Sequence, residues 1–270
     1  MINPKLIDHH MHSNYSPDAD PLATMESYIN QAKLKGIEGV MFTDHVDLES
    51  PIEAFIEIID YDVYQKEVED LRIKTNFPIY MGVEIGYQPQ LHEKYNQFLS
   101  AHDFDFVICS MHLADGLDFY YGDFFTGKTQ NEAYLRYFEV VLECVKVFDD
   151  YDVFGHLDFI IRYGKFDILD YDFNQYKAII DQILLQIISK NKGIELNTSG
   201  LRYGLAHMHP KFEIVKRYQE LGGKIITLGS DAHRVSDYLK DFVLAKELLI
   251  KAGFDEIAVF EKRVPRFVKL

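Results

Sequence analysis

Short apolar runs alternate with longer amphipathic ones along this chain. Runs of strand length, rich in β-branched and aromatic residues, cover 5–8, 39–44, 78–85, 105–111, 152–156, 193–197 and 224–231. Their interiors are continuously apolar, the pattern of parallel strands buried on both faces. Helical spacing governs the stretches between them: 24–36, 53–75, 131–148, 173–193, 210–223 and 236–253. Thr24 and Gly36 are start and stop signals for the first of these, and Pro210 opens a helix that Gly222 and Gly223 close. Seven strands with helices interspersed predict an α/β protein with a parallel sheet. A (β/α) barrel suits this count, with an open doubly wound sheet as the alternative. No G-x-G-x-x-G or G-x-x-x-x-G-K-[ST] follows a strand, so the phosphate loops of nucleotide folds are missing. Without repeats or linkers, residues 1–270 read as a single domain.

Composition narrows the partners. The 270 residues are 47% hydrophobic and 14% aromatic, enough for a sizeable core. A formal net charge of −15, unbroken by any basic block, repels a phosphate backbone and makes nucleic acid a poor partner. No apolar run approaches the roughly 18 residues that span a bilayer. The start "MINPKLIDHH" has no signal-peptide pattern, so a cytoplasmic protein without membrane contact is expected. Cys109 and Cys144 are the two cysteines, too few for a disulfide framework or a Cys-based zinc ribbon.

The chemistry lies in the last residues of each strand. The first ends in Asp8-His9-His10-Met11-His12, the second in Thr43-Asp44-His45, the third in Glu84. His112, His156, the pair Glu195 and Asn197, and Asp231-Ala232-His233 end the others. Each alone suits a hydrogen-bonded structural residue. Together they place an ionisable group at every strand's carboxyl end, where barrels assemble active sites. Burying so many is costly unless they pair or bind metal. Imidazole with carboxylate suits Zn, Mn or Fe, and a carboxylate can bridge two ions. His10 and His12 project to one side of a strand, Asp231 and His233 repeat that spacing, and His9 faces away. His92 and His102 read as surface residues, whereas His207 and His209 are candidates for substrate contact.

In this order D-x-H-x-H, T-D-H, an apolar strand ending in Glu, S-x-H, G-H-x-D and S-D-A-H resemble the PHP (polymerase and histidinol phosphatase) superfamily. The "GHLD" segment with its following Arg, and "ELNTSGLR", most resemble its stand-alone histidinol-phosphate phosphatases. That resemblance implies a distorted (β/α)7 TIM-like barrel holding two to three divalent ions. It implies one ion on His10, His12, Glu84 and Asp231, with Glu84 bridging to a second on His112 and His156. A third would take Asp18, His45 and His233. Asp44 is expected to orient a ligand histidine. The activity implied is hydrolysis of L-histidinol phosphate, a small phosphorylated metabolite, to L-histidinol and phosphate. A hydroxide bridging the first two ions is the expected nucleophile. Arg162 and Arg202, in loops after strands five and six, are expected to bind the phosphoryl oxygens. Asp231, His207 and His209 are the catalytic candidates, and either histidine would protonate the leaving alkoxide.

Other readings compete. A PHP phosphoesterase acting on nucleotides or phosphotyrosine would use the same metals. An amidohydrolase also begins with H-x-H, but it usually needs a carbamylated Lys on strand four, and "DFVICSMH" has none. A barrel that keeps metals only for stability or for a partner would have lost ligands, and none of the key positions here is apolar.

Overall fold

The capping signals act where the sequence places them. Helix α1 (Met25–Lys35) starts where the Thr24 side chain accepts the Ser27 amide and stops at Gly36, whose φ of 69° needs no Cβ. The computed structural model describes residues 3–55, 59–164, 166 and 171–270. After α1 come β1 (Val40–Phe42), β2 (His45–Val46), α2 (Tyr61–Thr75) and β3 (Ile79–Gly86). Next are α3 (His92–Ser100), β4 (Phe106–Ser110) and a small hairpin, β5 (Leu113–Ala114) with β6 (Leu117–Asp118). Helix α4 (Gln130–Val147), opened by a Thr129–Glu132 capping box, leads to β7 (Val153–Phe154) and α5 (Phe173–Ser189). Then follow β8 (Gly193–Asn197), α6 (Ser199–Arg202), α7 (Phe212–Glu220), β9 (Ile226–Gly229) and α8 (Phe242–Ala252). A second hairpin, β10 (Glu256–Glu261) with β11 (Val264–Lys269), ends the chain.

One parallel sheet runs β1-β3-β4-β7-β8-β9, and β2 also pairs with β3. Because β1 meets Ile79–Met81 and β2 meets Glu84–Ile85, the two are one strand broken at Thr43-Asp44. The first expected strand, 5–8, forms no regular ladder. Instead 9–12 is an extended segment wedged between the two edges of the sheet. His9 N–H donates to Leu228 O (2.9 Å), His12 N–H to Ala232 O (2.8 Å), and Thr43 N–H to Met11 O (3.0 Å). This segment closes the curl into a distorted seven-position barrel, and its irregularity is the distortion.

Other boundaries shift for local reasons. The expected helix 53–75 begins in earnest at Tyr61, where Asp60 caps it; 53–55 is a separate 3₁₀ turn and 56–58 lie outside the described residues. The expected helix 236–253 begins only at Phe242, because Leu239 and Asp241 have positive φ (58° and 60°). Helix α3 and both hairpins are absent from the sequence expectation. His92 and His102 are half-buried rather than on the surface, His92 Nδ1 lying 3.0 Å from the Tyr87 hydroxyl. No helix among the described residues is long and apolar enough to cross a membrane.

Candidate metal centre

The carboxyl ends of the strands surround a cavity of about 370 Å³. Asp18, His45, Glu84, His112, His156, Arg162, Asp231 and His233 line it. His10 and His12 lie beneath, fully buried. A larger hollow of about 890 Å³ opens at the amino ends, but its Arg72 is paired with Asp105 and its Arg263 with Asp150 and Asp152. The chemistry converges only at the smaller one.

Glu84 is the hub. It reaches His10 Nε2 at 3.2 Å, His12 Nε2 at 3.6 Å, His45 Nδ1 at 3.0 Å, His112 Nε2 at 3.4 Å and His156 Nε2 at 2.9 Å. Asp231 Oδ1 lies 3.4 Å from His12 Nε2 and 3.8 Å from His10 Nε2. Asp18 meets His233 Nε2 at 3.1 Å and His45 Nε2 at 3.8 Å. Four triplets have ligand atoms close enough to share an ion: His10-His12-Asp231, His10-Glu84-His156, His45-Glu84-His112 and His12-His45-His233. All nine expected ligands are thus gathered. The partition is looser than expected, because His45 faces Glu84 and His112 as well as Asp18 and His233.

A set of outer partners aims these groups. Glu195 Oε1 accepts from His10 Nδ1 (2.7 Å), and its Oε2 accepts the His156 amide (3.0 Å). Asp47 Oδ1 accepts from His112 Nδ1 (2.7 Å). Each pair fixes a ring so that Nε2 presents its lone pair inward. Two glycines make room for them. A Cβ on Gly229 would lie 2.0 Å from Glu195 Oε1, and one on Gly86 would lie 1.8 Å from Asp47 Oδ1. Asp44 acts at one remove: Ser16 Oγ donates to it (2.7 Å) and in turn faces His12 Nδ1 (3.2 Å). Backbone strain gathers here too, with positive φ at His156 (22°) and Asp231 (53°).

The donor set fits divalent cations. His10 Nε2, His12 Nε2, His45 Nδ1, His233 Nε2 and Glu84 Oε2 are buried without a hydrogen-bond partner, although such atoms ordinarily find one. The field favours positive charge. Burial opposes it, but Glu195, Glu84 and Asp231 still hold the His10 pKa well above the usual histidine range. Asp47 and Glu84 do the same for His112 against burial, and Asp18 and Glu84 lift His45 to about 9. Burial, then His233 and His45, push His12 well down, leaving a neutral donor.

The remaining candidates divide. Arg162 lines the cavity at the end of a 3₁₀ turn over Phe159–Arg162. Arg202 stands behind the wall: its Nη2 donates to the carbonyls of Ser230 (2.6 Å) and Asp231 (2.8 Å), holding the strained Asp231 backbone. Neither His207 nor His209 lines the cavity, against their expected contact with the leaving group. The His209 backbone pairs with Asn197, and its ring turns to Asp158, Nδ1 to Oδ1 2.7 Å. His207 Nδ1 meets the Met208 carbonyl at 2.8 Å. Sequence reasoning missed Asp47, two residues past His45 and so on its side of the strand. It named Glu195 only as a strand end.

A curled parallel α/β barrel with imidazoles and carboxylates gathered at its strand ends is the scaffold of a metal-dependent hydrolase. Residues 8–199 match the PHP domain family, and the chain belongs to that family. The histidinol-phosphatase of Lactococcus lactis is 33% identical over 264 residues, covering 95% of this chain and 94% of its own. A probable histidinol-phosphatase of Clostridium acetobutylicum is 30% identical over 264 residues, covering 97% and 99%. The solved structure of the Lactococcus lactis histidinol phosphate phosphatase, in complex with zinc, L-histidinol and phosphate, superposes with a TM-score of 0.88 at 30% identity. That superposition covers 97% of this chain and 99% of the other.

Proposed function

We propose that this chain is a metal-dependent phosphomonoesterase that hydrolyses L-histidinol phosphate to L-histidinol and inorganic phosphate. The observation that carries this reading is its near full-length likeness to the Lactococcus lactis enzyme, whose structure holds zinc and both products. The ligands we assign are His10, His12, Glu84 and Asp231 for one ion, and Glu84, His112 and His156 for a second. Asp18, His45 and His233 take a third. Zn, Mn and Fe all suit these donors. Bound there, divalent ions supply Lewis acidity, activate water near neutral pH and offset phosphoryl charge. We place the reaction in the cytoplasm and read 1–270 as one domain.

The protein's own groups do the rest. Arg162 presents a guanidinium to the phosphoryl oxygens from the cavity wall. Glu195 and Asp47 hold His10 and His112 in the tautomer whose Nε2 faces inward. Arg202 fixes the backbone that carries Asp231. Phe55, Phe159, Tyr120 and Tyr163 wall the cavity and limit water around the ester.

The test is hydrolysis by metal-loaded protein across a panel of phosphorylated metabolites. A rate for L-histidinol phosphate far above the others is expected, lost on chelation and regained with Zn or Mn. His10→Ala and Asp231→Asn are each expected to lower kcat/KM by roughly a hundredfold or more. A flat substrate profile, or unchanged activity in either variant, would overturn the reading.

A further inference from the structure

Arg162 is a buried cation with almost nothing to hold among the described residues. Its side chain is 10% exposed, and the nearest carboxylate among the described residues is that of Asp231, Nη1 to Oδ2 3.7 Å. Among the described residues no hydrogen bond engages its guanidinium.

Aromatic rings occupy the space that acceptors would take. The guanidinium carbon lies 3.0 Å from the ring centroid of Tyr203, 5.3 Å from that of Phe159 and 5.8 Å from that of Tyr163. A ring face attracts a cation without consuming its N–H groups, so the donors in the guanidinium plane stay available to an anion. Phe159 and Tyr163 adjoin Arg162 in and beside its own turn. Tyr203 comes from elsewhere. It follows α6, beside the Arg202 that is pinned to the Ser230 and Asp231 carbonyls. Its ring stands at the mouth, 50% exposed.

We propose that Tyr203 is a positioning residue for phosphate capture: its ring face holds Arg162 off Asp231 and keeps the guanidinium edge open to the phosphoryl group. The inference rests on Arg162 being the phosphate-binding group, as read above. Without the ring, Arg162 is free to close on Asp231 across the remaining 3.7 Å. That contact would occupy the donors and a metal-site carboxylate together.

The probe is inorganic phosphate, titrated calorimetrically into the full-length zinc-loaded protein and used as a product inhibitor. Tyr203→Phe keeps the ring face and is expected to match the parent. Tyr203→Ala is expected to bind phosphate about tenfold more weakly and to raise KM similarly, with a smaller change in kcat. Tyr203→Leu repeats the test should the alanine variant fail to fold. Arg162→Met separates the two layers. If it leaves phosphate affinity unchanged, the reading of Arg162 fails and takes this proposal with it. If it weakens phosphate while Tyr203→Ala binds like the parent, the proposal alone fails. Equal losses in the Phe and Ala variants also overturn it, because the hydroxyl rather than the ring face would then matter.

Discussion

His9 shows how differently neighbours can be used. It stands beside His10 yet is turned the other way, fully buried under the C-terminal hairpin. Its Nδ1–H donates to Ile7 O (2.9 Å) and its Nε2 accepts the Phe260 amide (3.2 Å), with Phe106 edge-on at 5.2 Å. Burial lowers its pKa to about 3 from the ordinary 6.5. The unfolded chain therefore takes up a proton below pH 6.5 that the folded one refuses until about pH 3. Stability from this group is complete above 6.5 and falls by about 1.4 kcal/mol per pH unit beneath it. His9→Phe strands the Phe260 amide and the Ile7 carbonyl and should cost roughly 3 kcal/mol at pH 8. At pH 5 the deficit should shrink to roughly 1 kcal/mol, because the variant has no proton to refuse. Urea unfolding of both proteins at the two pH values measures this, and a deficit that stays constant would refute it. The period-2 reading put His10 and His12 together and His9 apart, and that much was legible because strand geometry is local. What His9 does instead was not, since its partner lies 251 residues away.

The same division runs through the elements. Strands buried on both faces and helices with good caps announce themselves, so the α/β order and six of the helices were readable, along with which residues end each strand. The hairpin β10–β11 was not, because it lies outside the repeat and joins the barrel through contacts such as Phe260 on Phe106 (4.9 Å). Nor were the roles of Asp47 and Glu195, which depend on how strands align across the sheet: Glu195 sits opposite Thr227, beside the Gly229 that leaves it space. Arg162 and Arg202 follow neighbouring strands in similar contexts, and only the fold puts one in the cavity and the other behind it. Strand alignment also yields a test. Gly229→Ala should displace Glu195 and loosen the ion on His10, whereas Gly86→Ala should displace Asp47 and loosen the ion on His112. Each should weaken the ion nearest its displaced carboxylate by about ten- to a hundredfold and the others less, since Glu195 also holds the His156 amide. Metal content after dialysis against a graded chelator would read this, and loss of every ion at once in both variants would show that the hollows do not serve separate ions.

At the scale of the molecule, the candidate ligands straddle the seam that closes the barrel. His10, His12 and Asp18 come from the extended first segment, Asp231 and His233 from the end of β9, and the two stretches are joined by Asp231 N–H to His10 O (2.7 Å). Ions on these groups therefore tie the chain's start to its last barrel strand, through side chains where the ladder is irregular. Stability should rise with free metal, by about 2.7 kcal/mol per site at a hundredfold excess over Kd. For a chain of this size that is a rise of roughly 5 °C or more in Tm. The sign of its pH dependence follows from the imidazoles. Carboxylates hold His10 and His112 well above the usual range and His45 at about 9, so protons compete with metal even near neutrality. Metal binding must displace those protons, and the metal-induced rise in Tm should be larger at pH 8 than at pH 6.5. Thermal unfolding with saturating zinc and with chelator at the two pH values decides it. An equal shift at both would mean that the ions bind groups already free of protons, and that the field around Glu84 is weaker than the geometry implies.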